Sequence, residues 1–510
     1  MTKALGLSAL LLSFLIGFVP QSAAEPLMMF PFVLLSGWMM ASGSLLRLHG
    51  QDPFLLVLLL LWVLWSLSAA LSPAPFPSKV TWVIMGTLPL SYMAWTTLSL
   101  SVKDWERMSR GGAFVFSILA LWAILQILPL PFSPHLPRAE RPFADANLLG
   151  AILGIGFLLS LPSLFLSSSR IFAVPLLLIL GGVFATQSRS AILGLCAALP
   201  LFLIFWKKSK TESSPSIKKI SLAIASLMVA LALAVGLADR LLPLFQSGGD
   251  KDLNARFALW EAGLKMSLLH PFLGLGLGTF HLHYPPFRLP ADISAGWWVH
   301  MDPLQEAIES GWGACLLLYA LFGLVLLRII QKPSAPQNLL AAPALLLFFI
   351  VMHAGYPLHV VPFMILFTGF LSQFSGPRVP LSQPLGFFLA TPLLLVLMTG
   401  LWVTLQTSST LFLYREVNLA SHSQDEARFQ KSMSACLEEG DRSFPDCRLL
   451  AARLLIGQSG TSPLSPAIFK LLEEAEAANP LSPEPAYLRT KALQKLQSHS
   501  NQSIQQGPIK

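Results

Sequence analysis

The chain has 510 residues, of which 54% are hydrophobic and only 12% are charged, whereas about 25% of residues are charged in an average soluble protein. The mean hydropathy is +0.64. A soluble fold has too little interior to bury so much apolar surface, so the composition excludes a soluble multidomain enzyme. The net charge of +8 is typical of membrane proteins with basic cytoplasmic loops, and we expect no nucleic-acid partner.

Thirteen apolar runs are long enough to cross a bilayer, which requires about 20 residues per helix. They are Leu-rich and uninterrupted, which is typical of lipid-facing helices and not of barrel strands. The sequence therefore predicts an all-α polytopic membrane protein with about 12–13 transmembrane helices. The predicted spans are residues 4–19, 27–46, 53–71, 80–101, 111–130, 146–166, 171–187, 189–206, 220–238, 304–327, 338–356, 358–373 and 385–405.

Basic residues set the orientation of these spans, because Lys and Arg concentrate in cytoplasmic loops. One connection is rich in lysine and is therefore predicted to be cytoplasmic; it contains Lys207, Lys208, Lys210, Lys218 and Lys219. Alternation puts a further set on the same side: Lys3, Arg47, Lys103, Arg107, Arg110, Arg170, Arg328, Lys332 and Arg378. The short outside loops hold only Lys79, Arg138 and Arg141.

The alternation predicts a transmembrane domain over 1–405, with a long outside loop at 239–303, and an outside tail over 406–510. The first apolar run is either an uncleaved span, which we favour, or a signal peptide that ends near Ser22-Ala23-Ala24. Both interpretations give the same topology.

The tail is predicted to be helical near 425–439, 447–457 and 467–478. Residues 471–493 have a weak similarity to a tetratricopeptide helix pair, so the tail is a candidate surface for a protein partner. Cys436 and Cys447 both lie in this exported segment, where a disulfide can persist, but the sequence leaves their pairing open.

The outside loop contains a predicted amphipathic helix. Asn254 is its expected N-cap, and His270-Pro271 is expected to stop it near Leu269. Such a helix can lie on the membrane surface. Its apolar face, at helical spacing, consists of Phe257, Trp260, Leu264 and Leu268.

Two descending helices are predicted to begin at the outer face. Asp302 is the expected N-cap of one, with Pro303 in the first helical position and Gln305 completing a capping box. The other starts at Arg189, with Ser188 as its cap. Because helix N-termini carry partial positive charge, two such ends near basic residues form a natural anion site.

Several loop residues have both a structural and a functional interpretation. Arg189 either extends to the interface or binds a ligand phosphate, and we expect the latter, because arginine at membrane depth is costly. Considered without the rest of the loop, Arg256 would be interpreted as a surface charge, and His300 would be interpreted as a structural histidine. His353 and His359 flank an outside turn, and either could line the same cavity.

Other motifs in the loop are weaker candidates. His281 and His283 have no carboxylate or cysteine partner pattern, so we expect no metal site. The run Gly274-Leu275-Gly276-Leu277-Gly278 is expected to form tight turns. Trp297 and Trp298 either stack on sugar or lie among lipid headgroups, and we expect the headgroup position.

Five segments together resemble the O-antigen ligase and O-antigen polymerase family of bacterial envelope glycosyltransferases. The motif resemblance covers roughly residues 140–315, and the helical architecture extends it over 1–405. The segments are Arg141 to Leu148, Thr186 to Ser190, Arg256 to Gly263, His270 to Phe280, and His300 to Leu304 followed by Glu309-Ser-Gly311.

The resemblance implies a bacterial inner-membrane enzyme that needs neither metal nor cofactor and uses a glycan donor linked to undecaprenyl diphosphate. By residue-to-residue transfer, Arg189 and Arg256 bind the diphosphate and His300 is the catalytic base, while inversion at the anomeric carbon follows from the family. Asp302, Glu309 and Trp298 are expected in supporting positions. Met301 stands where the family often has a polar residue.

The resemblance leaves the acceptor open among a glycan, a lipid and a protein. The primary prediction is transfer of a preassembled glycan to an acceptor hydroxyl at the periplasmic face, as in an O-antigen ligase. The alternatives are a polysaccharide polymerase and a protein O-oligosaccharyltransferase. A transporter of lipid-linked glycans would need charges along a midplane pathway and internal repeats, and the sequence has neither.

Overall fold

A computed structural model describes residues 2–18, 25–42, 52–130, 134–166, 170–209, 251–292, 294, 296–375, 383–421, 426–458 and 466–505. Within these ranges the secondary structure is helical and contains no strand. The predicted all-α class is therefore confirmed. The predicted span 220–238 lies outside the described residues.

Each of the other predicted spans contains a helix. The helices are Thr2–Ile16, Phe30–Ala41, Pro53–Ala70, Pro75–Leu98, Val102–Ile127, Ala146–Leu166, Ala173–Thr186, Arg189–Ser209, Trp312–Gln331, Pro336–Met352, Val361–Ser372 and Gln383–Ser421. Among the described residues, 6 helices are long and apolar enough to cross a membrane. The chain is a multi-pass membrane protein.

Small residues let neighbouring helices approach closely, as is common in membrane bundles. A Cβ added at Gly182 would lie 2.7 Å from the Cβ of Ala120, and one at Gly194 would lie 2.9 Å from Cγ of Leu347. Larger apolar side chains fill the remaining space, such as the stacked rings of Phe348 and Phe367, whose centroids are 4.6 Å apart. This packing holds in place the helices whose ends surround the candidate site.

The predicted span 304–327 is wrong in one respect, because it consists of two helices. A short helix, Asp302–Glu309, ends at Ser310, and the apolar helix Trp312–Gln331 starts after Gly311. Gly311 has φ +87°, and a Cβ there would overlap the Phe272 carbonyl. The amide of Trp312 donates to the Pro271 carbonyl at 2.8 Å, so the loop backbone occupies the break.

The predicted helix starts also need correction. Met301, not Asp302, is the N-cap residue, and no side chain caps the helix there. Gln305 does not complete a capping box, since its Oε1 accepts from the Val299 amide at 3.0 Å. The loop helix is Lys251–Ser267, so Asn254 lies inside it and is not its cap.

The loop helix has one buried face, which is not the predicted apolar face. Its buried face packs on the short helix Asp302–Glu309 and includes Leu259 and Met266. Trp260 is partly buried, and its Nε1 donates to the Val299 carbonyl at 3.1 Å. The remaining members of the predicted apolar face are exposed: Phe257, Leu264 and Leu268.

Within the described part of the tail, helix Gln383–Ser421 is followed by Glu426–Glu439, Asp446–Gln458, Ala467–Ala478 and Glu484–Gln505. The sulfurs of Cys436 and Cys447 are bonded and join helices Glu426–Glu439 and Asp446–Gln458. Helix Gln383–Ser421 runs through residue 405 without a break, so bundle and tail share one element. The tail also contacts helix Pro75–Leu98. Lys79 lies 2.9 Å from Asp441 and donates to the Ser443 hydroxyl at 3.2 Å, and the rings of Phe76 and Phe444 have centroids 4.6 Å apart.

Candidate active site

A cavity of about 830 Å³ lies between the loop helix and the ends of the surrounding bundle helices. Arg189, Arg256 and His300 all line it. These three residues are far apart in sequence, and the fold brings them to the wall of the same cavity. The other charged or polar lining residues are Arg138, Asp145, Asn147, Gln187, Ser190, Asp252, Ser294 and His353.

Arg256 projects from the loop helix into the cavity wall. Its Nη1 donates to the carbonyl of Ala354 at 2.7 Å, which fixes the guanidinium. Burial is the main cause that lowers the pKa of Arg256, and the nearby carboxylate of Asp145 acts in the opposite direction. Because a guanidinium titrates far above neutrality, Arg256 remains a cation in the cavity.

Arg189 is the first residue of a bundle helix that points its N-terminus at the cavity. The Ser188 hydroxyl accepts from the amide of Ala191 at 3.3 Å, so the predicted cap is present. The guanidinium lies 3.8 Å from the Asp252 carboxylate, which is well exposed. A pair so long and so exposed contributes little, and the guanidinium remains a local source of positive charge.

His300 lies in the loop between residue 299 and the short helix, with φ +55°. Both backbone groups of Val299 are held, since its amide donates to Gln305 and its carbonyl accepts from Trp260. A left-handed conformation is uncommon for a non-glycine residue and occurs often at functional sites. Among the described residues, no hydrogen-bond partner meets Nδ1 of His300, which is buried.

Burial is the largest cause of the lowered pKa of His300, and the charge of Arg256 adds to it. The carboxylates of Asp145 and Asp292 partly oppose this effect. The imidazole is therefore neutral near pH 7, with a lone pair free to take a proton.

A second histidine of the cavity, His353, has both ring nitrogens engaged. Its Nδ1 lies 2.7 Å from the Phe349 carbonyl, and its Nε2 lies 2.8 Å from the Tyr319 hydroxyl. A carbonyl only accepts, so Nδ1 carries the proton and Nε2 accepts from Tyr319. His353 lines the cavity, as one of the two candidates at that turn was expected to, whereas His359 is not among the lining residues.

The three residues expected in supporting positions are not part of the cavity wall. Asp302 accepts from the Leu358 amide and from Nδ1 of His359, both at 2.9 Å. Trp298 stacks on Tyr356 with ring centroids 5.0 Å apart. These contacts hold together the loops that surround the cavity.

Glu309 explains the glycine-rich run. Its carboxylate accepts from the amides of Gly278 and Phe280 at 2.8 and 3.0 Å, and from the Gln305 amide group at 2.7 Å. Gly274, Gly276 and Gly278 all have positive φ. The run forms tight turns around a buried carboxylate, as predicted.

Sequence reasoning missed Arg138, Asp145 and Asp252 as cavity residues. Asp145 caps helix Ala146–Leu166, accepting from the Asn147 amide at 2.7 Å, and it also faces the cavity. It belongs to the segment from Arg141 that carries part of the family resemblance, which was the available signal. No comparable signal marks Arg138 or Asp252, which look like ordinary loop charges.

In the part of the chain that the structure describes, no group of three or more His, Cys, Asp or Glu side chains could hold a metal ion. His281 packs on Trp297 with ring centroids 4.9 Å apart, and Nε2 of His283 lies 3.2 Å from the Leu275 carbonyl. Both histidines thus have packing roles in the loop.

Comparison with known proteins gives one family. Residues 174–319 match the family model described as O-antigen ligase, and the matched segment includes Arg189, Arg256 and His300. No match was found among curated proteins. The chain is therefore a multi-pass membrane protein whose residues 174–319 match the O-antigen ligase family model.

Proposed function

We propose that the protein transfers a preassembled glycan from undecaprenyl diphosphate to an acceptor hydroxyl at the periplasmic face of the bacterial inner membrane. The observation that supports this function is the convergence of Arg189, Arg256 and His300 on one cavity. Two cations and a neutral imidazole match what the reaction requires, because the leaving group is an anion and the nucleophile must lose a proton.

The arginines and the helix N-terminus at Arg189 receive the diphosphate in this proposal. Guanidinium groups bind phosphate oxygens in bidentate fashion, and a helix N-terminus adds partial positive charge. Arg138 brings a third guanidinium to the same wall. Positive charge fixed in place stabilises the diphosphate as it departs, so no metal is needed in this scheme.

His300 acts as the general base. The acceptor hydroxyl gives its proton to the imidazole, the freed oxygen attacks the anomeric carbon, and the bond from that carbon to the lipid diphosphate breaks. Direct displacement inverts the anomeric configuration. Apolar lining residues such as Leu193, Phe349 and Ile350 suit the prenyl part of the donor next to the phosphates.

The acceptor is tested by reconstitution of the full chain in liposomes with a labelled lipid-linked glycan. Three acceptors are supplied separately: lipid A core, a second lipid-linked repeat unit, and a pilin-like protein. We expect transfer to lipid A core. Transfer only to the lipid-linked unit would instead support a polymerase, and transfer only to the protein would support an O-oligosaccharyltransferase.

The base is tested in the same assay. We expect His300→Ala to lower transfer by about 100-fold or more, which is the usual contribution of a general base. His281→Ala is the matched control, because this histidine belongs to the same loop but packs on Trp297 away from the cavity wall. Wild-type transfer by His300→Ala would contradict the proposal.

A further inference from the structure

One short outside segment contacts both of the principal candidate groups. Residues 353–360, here called the return segment, connect helices Pro336–Met352 and Val361–Ser372. Its Ala354 carbonyl accepts from Arg256, and the ring of Tyr356 meets the ring of His300 edge-on with centroids 5.4 Å apart. The position of this segment therefore sets where the guanidinium and the imidazole lie relative to each other.

A buried carboxylate anchors the return segment to the loop that carries His300. Asp302, two residues after His300, accepts from the Leu358 amide and from the His359 imidazole. The side chains of Asp302 and His359 are 0% and 2% exposed, so water does not compete for this contact. A carboxylate accepts hydrogen bonds, which places the proton on Nδ1 of His359.

Ring packing aligns the same two stretches of chain. Trp298 lies flat on Tyr356, with an interplanar angle of 10°, and its ring centroid is 4.8 Å from that of His359. Residues 298, 300 and 302 thus each touch the return segment. The hydrogen bonds that Asp302 accepts from the Leu358 amide and from His359 add directed polar contacts to this ring packing, and the one from His359 comes from a side chain.

We propose that His359 is a positioning residue: its hydrogen bond to Asp302 holds the return segment against residues 298–302 and so fixes the distance between the His300 imidazole and the Arg256 guanidinium. This inference rests on the proposed function, in which these two groups act on the same donor and acceptor. His359 does not line the cavity and takes no part in proton transfer.

The effect of losing the contact follows from geometry. Misplacement of a reacting group by about 1 Å can reduce a rate by about 100-fold even when the substrate still binds. Arg138 and Arg189 contribute to donor binding from outside the return segment, so a shift of this segment changes donor binding less than it changes the distance from His300 to Arg256. Loss of the His359–Asp302 contact should therefore lower kcat more than it raises the KM for the donor.

The experiment compares three substitutions of one residue in the full chain. In His359→Asn the side-chain amide places an N–H close to the position of Nδ1, whereas in His359→Gln the amide lies one bond further out. His359→Ala removes the donor. We expect kcat to fall by about tenfold or more in the Ala and Gln variants and to stay within about threefold of wild type in the Asn variant, with the donor KM within about threefold in all.

Donor binding has an independent readout in the shift of the unfolding temperature caused by farnesyl diphosphate. We expect the same shift in wild type and in all three variants that remain folded. The Asn and Gln variants differ by one methylene, so their comparison is informative even where the Ala variant is poorly folded. Equal kcat values for Asn and Gln would overturn the positioning role, and so would an effect confined to the donor KM.

The outcomes separate this inference from the proposed function. Full transfer by His300→Ala would remove the catalytic scheme, whatever the His359 variants do. If His300→Ala is inactive while His359→Ala and His359→Gln keep wild-type kcat, the scheme stands and the positioning role alone is wrong.

Discussion

Three histidines in or near the cavity differ in what their ring nitrogens contact. His353 has both nitrogens engaged, and His359 donates to a buried carboxylate. His300 alone of these three combines a place on the cavity wall with a buried Nδ1 that meets no partner among the described residues. The local contacts thus distinguish a proposed base from two histidines with other roles, which residue type alone does not do.

The lowered pKa of His300 predicts how the rate of transfer falls at acidic pH, here called the acid limb of the pH profile. The neutral imidazole is the active form, so transfer should fall as the pH drops through a pKa that lies below the ordinary value of about 6.5. Asp145 opposes this lowering. Asp145→Asn removes its charge, so the limb should move to lower pH.

Asn is a good helix N-cap, so Asp145→Asn should preserve the start of helix Ala146–Leu166. The measurement is kcat/KM as a function of pH in liposomes for wild type and variant. If the acid limb of the pH profile does not move, or moves to higher pH, then the charge of Asp145 does not raise the pKa of His300.

At the residue scale, the family motifs led to Arg189, Arg256 and His300, and the structure brings these onto one cavity. Asp145 and Arg138 were not selected, because their contribution depends on packing between segments distant in sequence. The contacts of Asp302 were likewise hidden, since a residue before Pro303 looks like a helix cap until its partner at 359 is in place.

At the element scale, the break between Glu309 and Trp312 is the main feature that hydropathy did not predict. The length of an apolar run indicates whether the segment can cross a bilayer. It does not show whether the backbone of a distant loop interrupts the helix. Here the backbone at Pro271 and Phe272 occupies the break at Gly311. The helix positions themselves were predictable from apolar runs, and so was the Ser188 cap, whereas the predicted caps Asn254 and Asp302 were wrong.

Gly311→Ala should destabilise the protein by about 1–3 kcal/mol, because it combines positive φ with a Cβ that overlaps the Phe272 carbonyl. The measurement is the thermal unfolding midpoint in detergent. Gly323→Ala is the matched control in helix Trp312–Gln331, since nothing lies within 4 Å of its added Cβ. An unchanged midpoint for Gly311→Ala would show that the break tolerates a side chain.

At the scale of the whole molecule, the orientation of the bundle remains a prediction from its basic loops. Lys265 lies exposed on the loop helix, and Lys332 lies exposed beyond the end of helix Trp312–Gln331. We expect a membrane-impermeant maleimide to label Lys265→Cys in intact spheroplasts, and Lys332→Cys only after permeabilisation. Both substitutions are made in a protein that also carries Cys196→Ser, because this native cysteine is exposed and could be labelled.

Labelling with the opposite sidedness would place the loop helix in the cytoplasm and would remove the proposed periplasmic reaction. The orientation can be predicted from the sequence, because Lys and Arg concentrate in cytoplasmic loops. The attachment of the tail to the bundle could not be predicted, since it depends on single contacts such as Lys79 with Asp441.

The disulfide of the tail has a consequence for where this attachment can form. Asp441, Ser443 and Phe444 contact helix Pro75–Leu98, and all three lie inside the covalent ring that Cys436 and Cys447 close. Ring closure restricts the conformations of these residues before they meet their partners. Disulfides persist in oxidising compartments, so in the predicted topology, with the tail outside the cytoplasm, we expect this restriction of the tail to be established after export.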